Sequence, residues 1–149
     1  MSEQIFVGAD HAGFDLKQRL VTELKKLGYE PVDVGPKTLD PADDFPDYGR
    51  PVAQAVSRGE VERGVLTCGS GVGMAMVANR FPGVRAALVW NPDVAEMSRK
   101  HNDANVLVLP ARYIAEGTAV ESLRRWLETA FEGGRHARRV QKIEETSRD

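Results

Sequence analysis

The sequence predicts an α/β domain built on an open parallel sheet, and two patterns carry that expectation. Five short runs are apolar almost throughout, as strands covered on both faces of a parallel sheet are. They alternate with amphipathic stretches of helical period, which points to right-handed strand–helix–strand crossovers. A length of 149 residues fits one domain, with no internal repeat or linker.

Taken in order, strands are expected at residues 5–9, 31–34, 64–67, 84–90 and 105–109. Residues 14–27 place Leu16, Leu20, Leu24 and Leu27 at helical spacing, and Gly28 stops the helix. A second helical pattern covers residues 74–80. Asn91-Pro92-Asp93 supplies an N-cap, a first-turn proline and a carboxylate suited to the helix dipole, with Val94, Met97 and His101 on one face. The longest pattern runs over residues 113–131, with Val120, Leu123, Leu127 and Phe131 facing one way and Gly133-Gly134 ending it. Residues 35–48 hold three prolines and four aspartates and read as a loop, long enough to suggest a functional role. Beyond Gly134 a C-terminal arm, 135–149, is expected to project from the domain.

Composition excludes several classes. Hydrophobic residues make up 42% and charged residues 28%, and 20 Lys plus Arg against 22 Asp plus Glu leave a net charge of −2. That balance argues against a nucleic-acid or anionic-membrane surface. The single cysteine permits no internal disulfide and favours a reducing compartment. No apolar run approaches the ~20 residues of a membrane span, and Met1-Ser2-Glu3-Gln4 has no basic n-region, so a cytoplasmic protein is expected.

Four places carry chemistry-bearing residues. Cys68-Gly69-Ser70-Gly71-Val72-Gly73 follows a strand and precedes a helix, the position at which open α/β sheets bind ligands. Its glycines let backbone N–H groups approach an anion, and a thiol there is expected to have its pKa lowered toward neutrality. Asp10 and His11 follow the first strand, on the same sheet edge if the strands are neighbours; Asp10 as a cap and His11 as an ordinary surface residue are the bland alternatives. His101-Asn102 ends the Asn91 helix. Arg135 and Arg139 lie one turn apart in a basic run that also contains His136. A Walker A string is absent, and Met74 stands where a cysteine phosphatase would need arginine. The three histidines and the cysteine form no HxH, HxxxH or CxxC pair, so no metal site is expected. A thiol base, imidazoles, an anion-cradling loop and arginines suit proton transfer beside the carbonyl of a phosphorylated substrate.

Five strings resemble ribose-5-phosphate isomerase type B, in order and over nearly the whole chain: residues 8–14, 68–73, 78–80, 98–107 and 132–140. The family also includes galactose-6-phosphate isomerase subunits. The resemblance implies a Rossmann-like three-layer sandwich with a five-stranded parallel sheet and a projecting C-terminal helix. It implies no cofactor and no metal, and a homodimer or homotetramer with active sites between subunits and with the C-terminal arm, 135–149, packing on the partner subunit. By the same resemblance Cys68 is the base between C1 and C2, and the Gly69, Gly71, Val72 and Gly73 backbone holds the enediolate oxygen. His101 opens the furanose ring, with Asp10 and Ser70 binding hydroxyls. His11, Arg112, Arg135 and Arg139 bind phosphate, and Asn102 the sugar. One branch of the family replaces the cysteine by a glutamate at the position of Met74, which places this chain in the cysteine branch. Ribose 5-phosphate and ribulose 5-phosphate are the implied substrates. Four- or six-carbon sugar phosphates, or a non-catalytic flavodoxin-like phosphate-binding module, are the alternatives.

Overall fold

A computed structural model describes residues 2–146. Five strands, β1 (Gln4–Ala9), β2 (Glu30–Gly35), β3 (Arg63–Cys68), β4 (Ala86–Leu88) and β5 (Val106–Pro110), form one all-parallel sheet in the order β2-β1-β3-β5-β4. The helices are α1 (Phe14–Lys26), α2 (Pro46–Ser57), α3 (Val72–Ala78), α4 (Pro92–Asn102), α5 (Glu116–Glu128) and α6 (Arg135–Thr146). Two apolar clusters fill the two sides of the sheet. One joins Ile5, Val7, Val65, Leu107 and Leu109 to Leu20 and Leu24 of α1 and to Leu123 and Trp126 of α5. The other joins Leu66, Val106 and Val108 to Val52 and Val56 of α2 and to Met74 and Ala78 of α3. Three layers result, as expected from strands whose side chains are apolar on both faces.

Several boundaries differ from the sequence reading. β4 is three residues long rather than seven: Val84 is held in a turn to Phe81, and outside the strand the pairing to β5 continues through the Arg85 carbonyl, which accepts from Asn105 and Val106 N–H, and through Val89 N–H onto Val108. α5 starts at Glu116 and stops at Glu128, where Thr129 turns extended and its hydroxyl bonds the Arg125 carbonyl at 2.6 Å. Phe131 is therefore off the helix. The 35–48 segment is loop only to Phe45, since Pro46 opens α2 from its first turn. The sequence reading assigned no helix to residues 46–57. Asn91 caps α4 as expected, its side-chain oxygen accepting from Val94 N–H at 2.8 Å, but Met97 is exposed rather than packed with Val94.

The C-terminal arm also departs from expectation. It does not simply project: His136 and Val140 are buried against their own chain, and Arg85 pairs with Glu144 at 2.6 Å. A run of four cations gains from folding back because one face of α6 carries this imidazole and valine. Arg135, Arg139 and Ile143 remain exposed on the arm. Residues 147–149 lie outside the described structure.

Close backbone contact fixes the turn after β1. A Cβ on Gly13 would clash with the Thr67 hydroxyl and come within 2.6 Å of the Thr67 carbonyl oxygen. The same hydroxyl donates to the Gly13 carbonyl at 2.9 Å, which locks β3 to the start of α1. Gly13→Ala should cost about 1–3 kcal/mol through overpacking, and thermal unfolding should read this as a Tm lower by roughly 3–10 °C. An unchanged Tm would mean that the turn relaxes freely.

Candidate active site

The carboxyl edge of the sheet collects the first half of the expected residues. Cys68 ends β3 and is 4% exposed. The chain then turns through Gly71, whose φ of +78° is open to glycine, and a Cβ there would strike Leu88. This turn brings the backbone N–H groups of Gly71, Gly73 and Met74 onto the sulfur. They favour the thiolate, but burial acts more strongly and the Asp10 charge adds to it, so the thiol pKa is raised above its ordinary value. The expectation of a lowered pKa is corrected: the helix start supplies the donors, while the pocket around the sulfur is too dry. Ser70 is exposed, and its hydroxyl accepts from Val72 N–H at 3.2 Å.

Asp10 is buried and accepts from Gly13 N–H at 3.0 Å, so it closes the turn into α1 while facing the cysteine. Arg112 follows β5, its N–H bonded to the Gly69 carbonyl at 2.9 Å. Its side chain lies over Gly69, with the guanidinium 3.3 Å from where a Cβ would stand. Arg112 is exposed and has no ion pair among the described residues.

The acidic loop has a structural task that the sequence did not reveal. Asp43 Oδ1 accepts from the His11 backbone N–H at 3.2 Å and lies 2.8 Å from His11 Nδ1. Its side chain is only 4% exposed, and Oδ2 has no hydrogen-bond partner. Phe45 presses on Gly73, where a Cβ would come within 2.8 Å of the ring. At the root of the loop, the fully buried Lys17 donates to Asp33 at 2.9 Å and to the Pro36 carbonyl at 2.5 Å. A cavity of about 400 Å³ opens here, walled by Asp10, His11, Asp43, Phe45 and Arg50.

His101 and Asn102 lie elsewhere. α4 leaves the carboxyl edge at Asn91 and descends, so its last residues sit at the amino ends of the strands. α5 descends likewise, as Arg63 at the start of β3 shows by donating to the Leu127 carbonyl at 3.1 Å. Arg135 and Arg139 therefore start from this opposite edge too. With a rise of ~3.3 Å per strand residue, the two halves of the expected site are separated by roughly 15–20 Å within one chain. The structure brings Asp10, His11, Cys68, Gly69, Ser70, Gly71, Val72, Gly73 and Arg112 together; it brings His101, Asn102, Arg135 and Arg139 to a second place. A cavity of about 560 Å³ also lies at the amino edge, but its arginines are engaged: Arg63 with Glu3, Arg85 with Glu144, Arg99 with Asp103.

The second place holds a group that spacing hid. The rings of His101 and His136 stack with centroids 4.5 Å apart, and Glu132 lies beside them. Among the described residues this is the one cluster of three groups whose donor atoms, all within 4.8 Å of one another, could hold a metal ion. His101 and His136 are distant in sequence, so no pair motif announces them.

The chain matches the ribose/galactose isomerase family model over residues 5–143. It belongs to that family. Among relatives, the ribose-5-phosphate isomerase B of Escherichia coli K12 is 42% identical, over 95% of this chain and 94% of that protein. The D-erythrulose-4-phosphate isomerase of Pectobacterium atrosepticum is 39% identical, over 93% and 91%. Among solved structures, ribose-5-phosphate isomerase B of Mycoplasma genitalium with bound ribulose 5-phosphate superposes with a TM-score of 0.96 at 39% identity, covering 100% of this chain and 99% of that one. The Clostridium thermocellum enzyme gives 0.94 at 45%, covering 97% of both. As a ribose/galactose isomerase family member the chain is an aldose–ketose isomerase, and the α/β three-layer fold is the family's. No described helix is long and apolar enough to cross a membrane.

Asp43 should keep a proton on His11 Nδ1 in the empty site, so that a phosphate in the cavity can bring a second proton onto Nε2 and accept a hydrogen bond from it. Proton–nitrogen correlation spectra should report Nδ1–H at His11 in the wild type. Asp43→Ala should shift it toward the Nε2–H form that free imidazole prefers, and an unchanged spectrum would remove Asp43 from this task.

Proposed function

We propose that the protein interconverts ribose 5-phosphate and ribulose 5-phosphate through an enediolate, with Cys68 as the base and with each active site built from two copies of the chain. The observation that carries the reading is the division of the site residues. Asp10, His11, Cys68 and Arg112 stand at one sheet edge, and His101, Asn102, Arg135 and Arg139 at the other, so a second copy is needed to complete the set. A partner also has a surface to meet. The helices flanking edge strand β4 and the turn after it expose Val72, Met76, Trp90 and Met97.

Catalysis begins with the closed sugar. His101 of the second copy passes a proton between the anomeric hydroxyl and the ring oxygen, which releases the aldehyde. The Cys68 thiolate takes the proton from C2, and the electron pair moves onto the carbonyl oxygen to form the enediolate. Backbone N–H groups along Gly69–Gly73 stabilise that oxygen. The C2 hydroxyl proton then passes to the C1 oxygen as the C2–oxygen double bond forms, and the thiol returns its proton to C1, giving the ketose. His11 and Arg112 hold the phosphate from one side, and Arg135 and Arg139 hold it from the other, where a planar guanidinium engages two oxygens at once. Proton shuttling within one substrate needs no redox group. Asn102 binds the sugar, and Ser70 and Asp10 bind its hydroxyls.

The raised thiol pKa sets the pH dependence. The base acts deprotonated, so kcat/KM should rise with pH through neutrality and level off only above the ordinary thiol value of 9.0. Cys68→Ala should lower kcat by orders of magnitude, and a flat profile or near-wild-type turnover in that variant would return the base role to another group.

Mixing tests the composite site. Cys68→Ala and His101→Ala should each be nearly inactive alone. Co-refolded in equal amounts, they should recover about a quarter of wild-type activity, because half the dimers are mixed and each mixed dimer holds one intact site. No recovery would place all catalytic groups of a site in one chain. Comparing kcat/KM for four-, five- and six-carbon aldose phosphates decides the sugar; a four-carbon preference would align the chain with its Pectobacterium relative.

A further inference from the structure

We propose that His101, His136 and Glu132 form a binding site for one borderline divalent transition cation, with Zn²⁺ as its probe. Their three ligand atoms lie within 4.8 Å of one another, on segments already fixed to each other. Glu132 N–H bonds the Lys100 carbonyl at 3.1 Å, tying the end of α4 to the turn before α6, and His136 N–H bonds the Gly133 carbonyl at 3.0 Å. His136 Nε2 and Glu132 Oε1 are 3.7 Å apart. Metal bonds of about 2.0–2.2 Å place neighbouring tetrahedral ligands at nearly that separation.

The second observation is an unmet donor or acceptor. His136 is 5% exposed, yet its Nε2 has no hydrogen-bond partner. A buried polar atom left unpaired is costly, and a cation accepting its lone pair meets the need. The cationic side chains of Arg135 and Arg139 stand near the same imidazole. Glu132 supplies the negative charge that offsets those arginines. Two imidazoles and one carboxylate suit Zn²⁺, Co²⁺ or Ni²⁺ rather than Mg²⁺ or Ca²⁺.

The two rings now stack at 18°, so their lone pairs run side by side instead of converging. Loading requires His101 to turn about its side-chain bonds. It is half-buried in the last turn of α4. Three ligands leave a fourth position open. Cation binding is independent of the proposed reaction. Its consequence rests on that reading: a cation on His101 takes the lone pair that ring opening uses, so it inhibits.

The test uses untagged, chelator-dialysed protein, as wild type and as Cys68→Ser to remove the competing thiol. Calorimetry should find one Zn²⁺ per chain in Cys68→Ser with micromolar affinity, and Co²⁺ should give the visible bands of a four-coordinate site. Glu132→Gln, an exposed change outside the isomerase machinery, should weaken binding by at least about tenfold. His136→Gln should do the same, and Glu128→Gln should not. No saturable binding, or binding that survives both Glu132→Gln and His136→Gln, overturns the site. In the wild type, Zn²⁺ should inhibit turnover reversibly, with chelator restoring full activity, and Glu132→Gln should resist inhibition. Saturable binding at these residues without inhibition upholds the cation site and instead overturns the role given to His101.

Discussion

Five strands that all run one way put every carboxyl end on the same edge, and each connecting helix must carry the chain back to the other. The consequences reach every functional residue of this protein. Groups that directly follow strands, such as Asp10, Cys68 and Arg112, are delivered to one edge by the hydrogen-bonded register of β1, β3 and β5. Groups at helix ends, such as His101, are delivered to the opposite edge with equal certainty. The arm after Gly134 packs where α4 ends. A single copy therefore presents the two groups of proposed site residues at opposite edges. In the proposed reading symmetric pairing joins them, since a two-fold axis would bring each group to its complement twice.

Within the first half-site, precision comes from contacts too close for any side chain. Gly13 sits on Thr67, Gly71 on Leu88 and Gly73 on Phe45. Each pins a turn against a neighbouring element of different origin: α1 against β3, the cysteine loop against β4, and that same loop against the acidic segment before α2. The glycine loop thus owes its shape to two surrounding elements, β4 and the acidic segment, as much as to its own backbone freedom. The acidic segment is anchored at both ends, by Lys17 at Pro36 and by Asp43 at His11. Its aspartates are mostly solvated, but Asp43 is not, and that one carboxylate relates the loop to the chemistry.

Local sequence pattern carried the strands well because a doubly covered strand is apolar at every position, and β1, β3 and β5 are all of that kind. It failed where a neighbour decides the outcome. β4 is cut short by the turn at Phe81 and Val84, and α5 ends at a threonine hydroxyl, although Phe131 extends the apolar period. The Asn91 cap was legible because its signal is local. The partnership of Asp43 with His11 was not, since four aspartates in one loop look alike until one is buried. The His101–His136–Glu132 cluster was hidden for the same reason: two helices bring together residues that no short motif spans. The C-terminal arm reads as projecting from its own domain because of its four cations, yet Val140 and His136 share a face that is buried against the same chain.

Cys68 holds the sharpest conflict in the molecule. A base that removes a proton from carbon gains strength as its pKa rises, but fewer molecules hold it ionised at neutral pH. Burial pushes the thiol in the first direction, and the Asp10 carboxylate adds to it. Three backbone N–H groups from the start of α3 push in the second, without adding a mobile cation that would compete for the substrate phosphate. The result is a thiol kept dry, strongly basic when ionised, and given fixed dipoles that need no reorganisation as charge leaves the sulfur. In the proposed mechanism those same N–H groups face the negative charge that develops next, so one short glycine turn would serve the base and the enediolate in succession. Its glycines admit the close contacts with Leu88 and Phe45 and let backbone donors reach the sulfur.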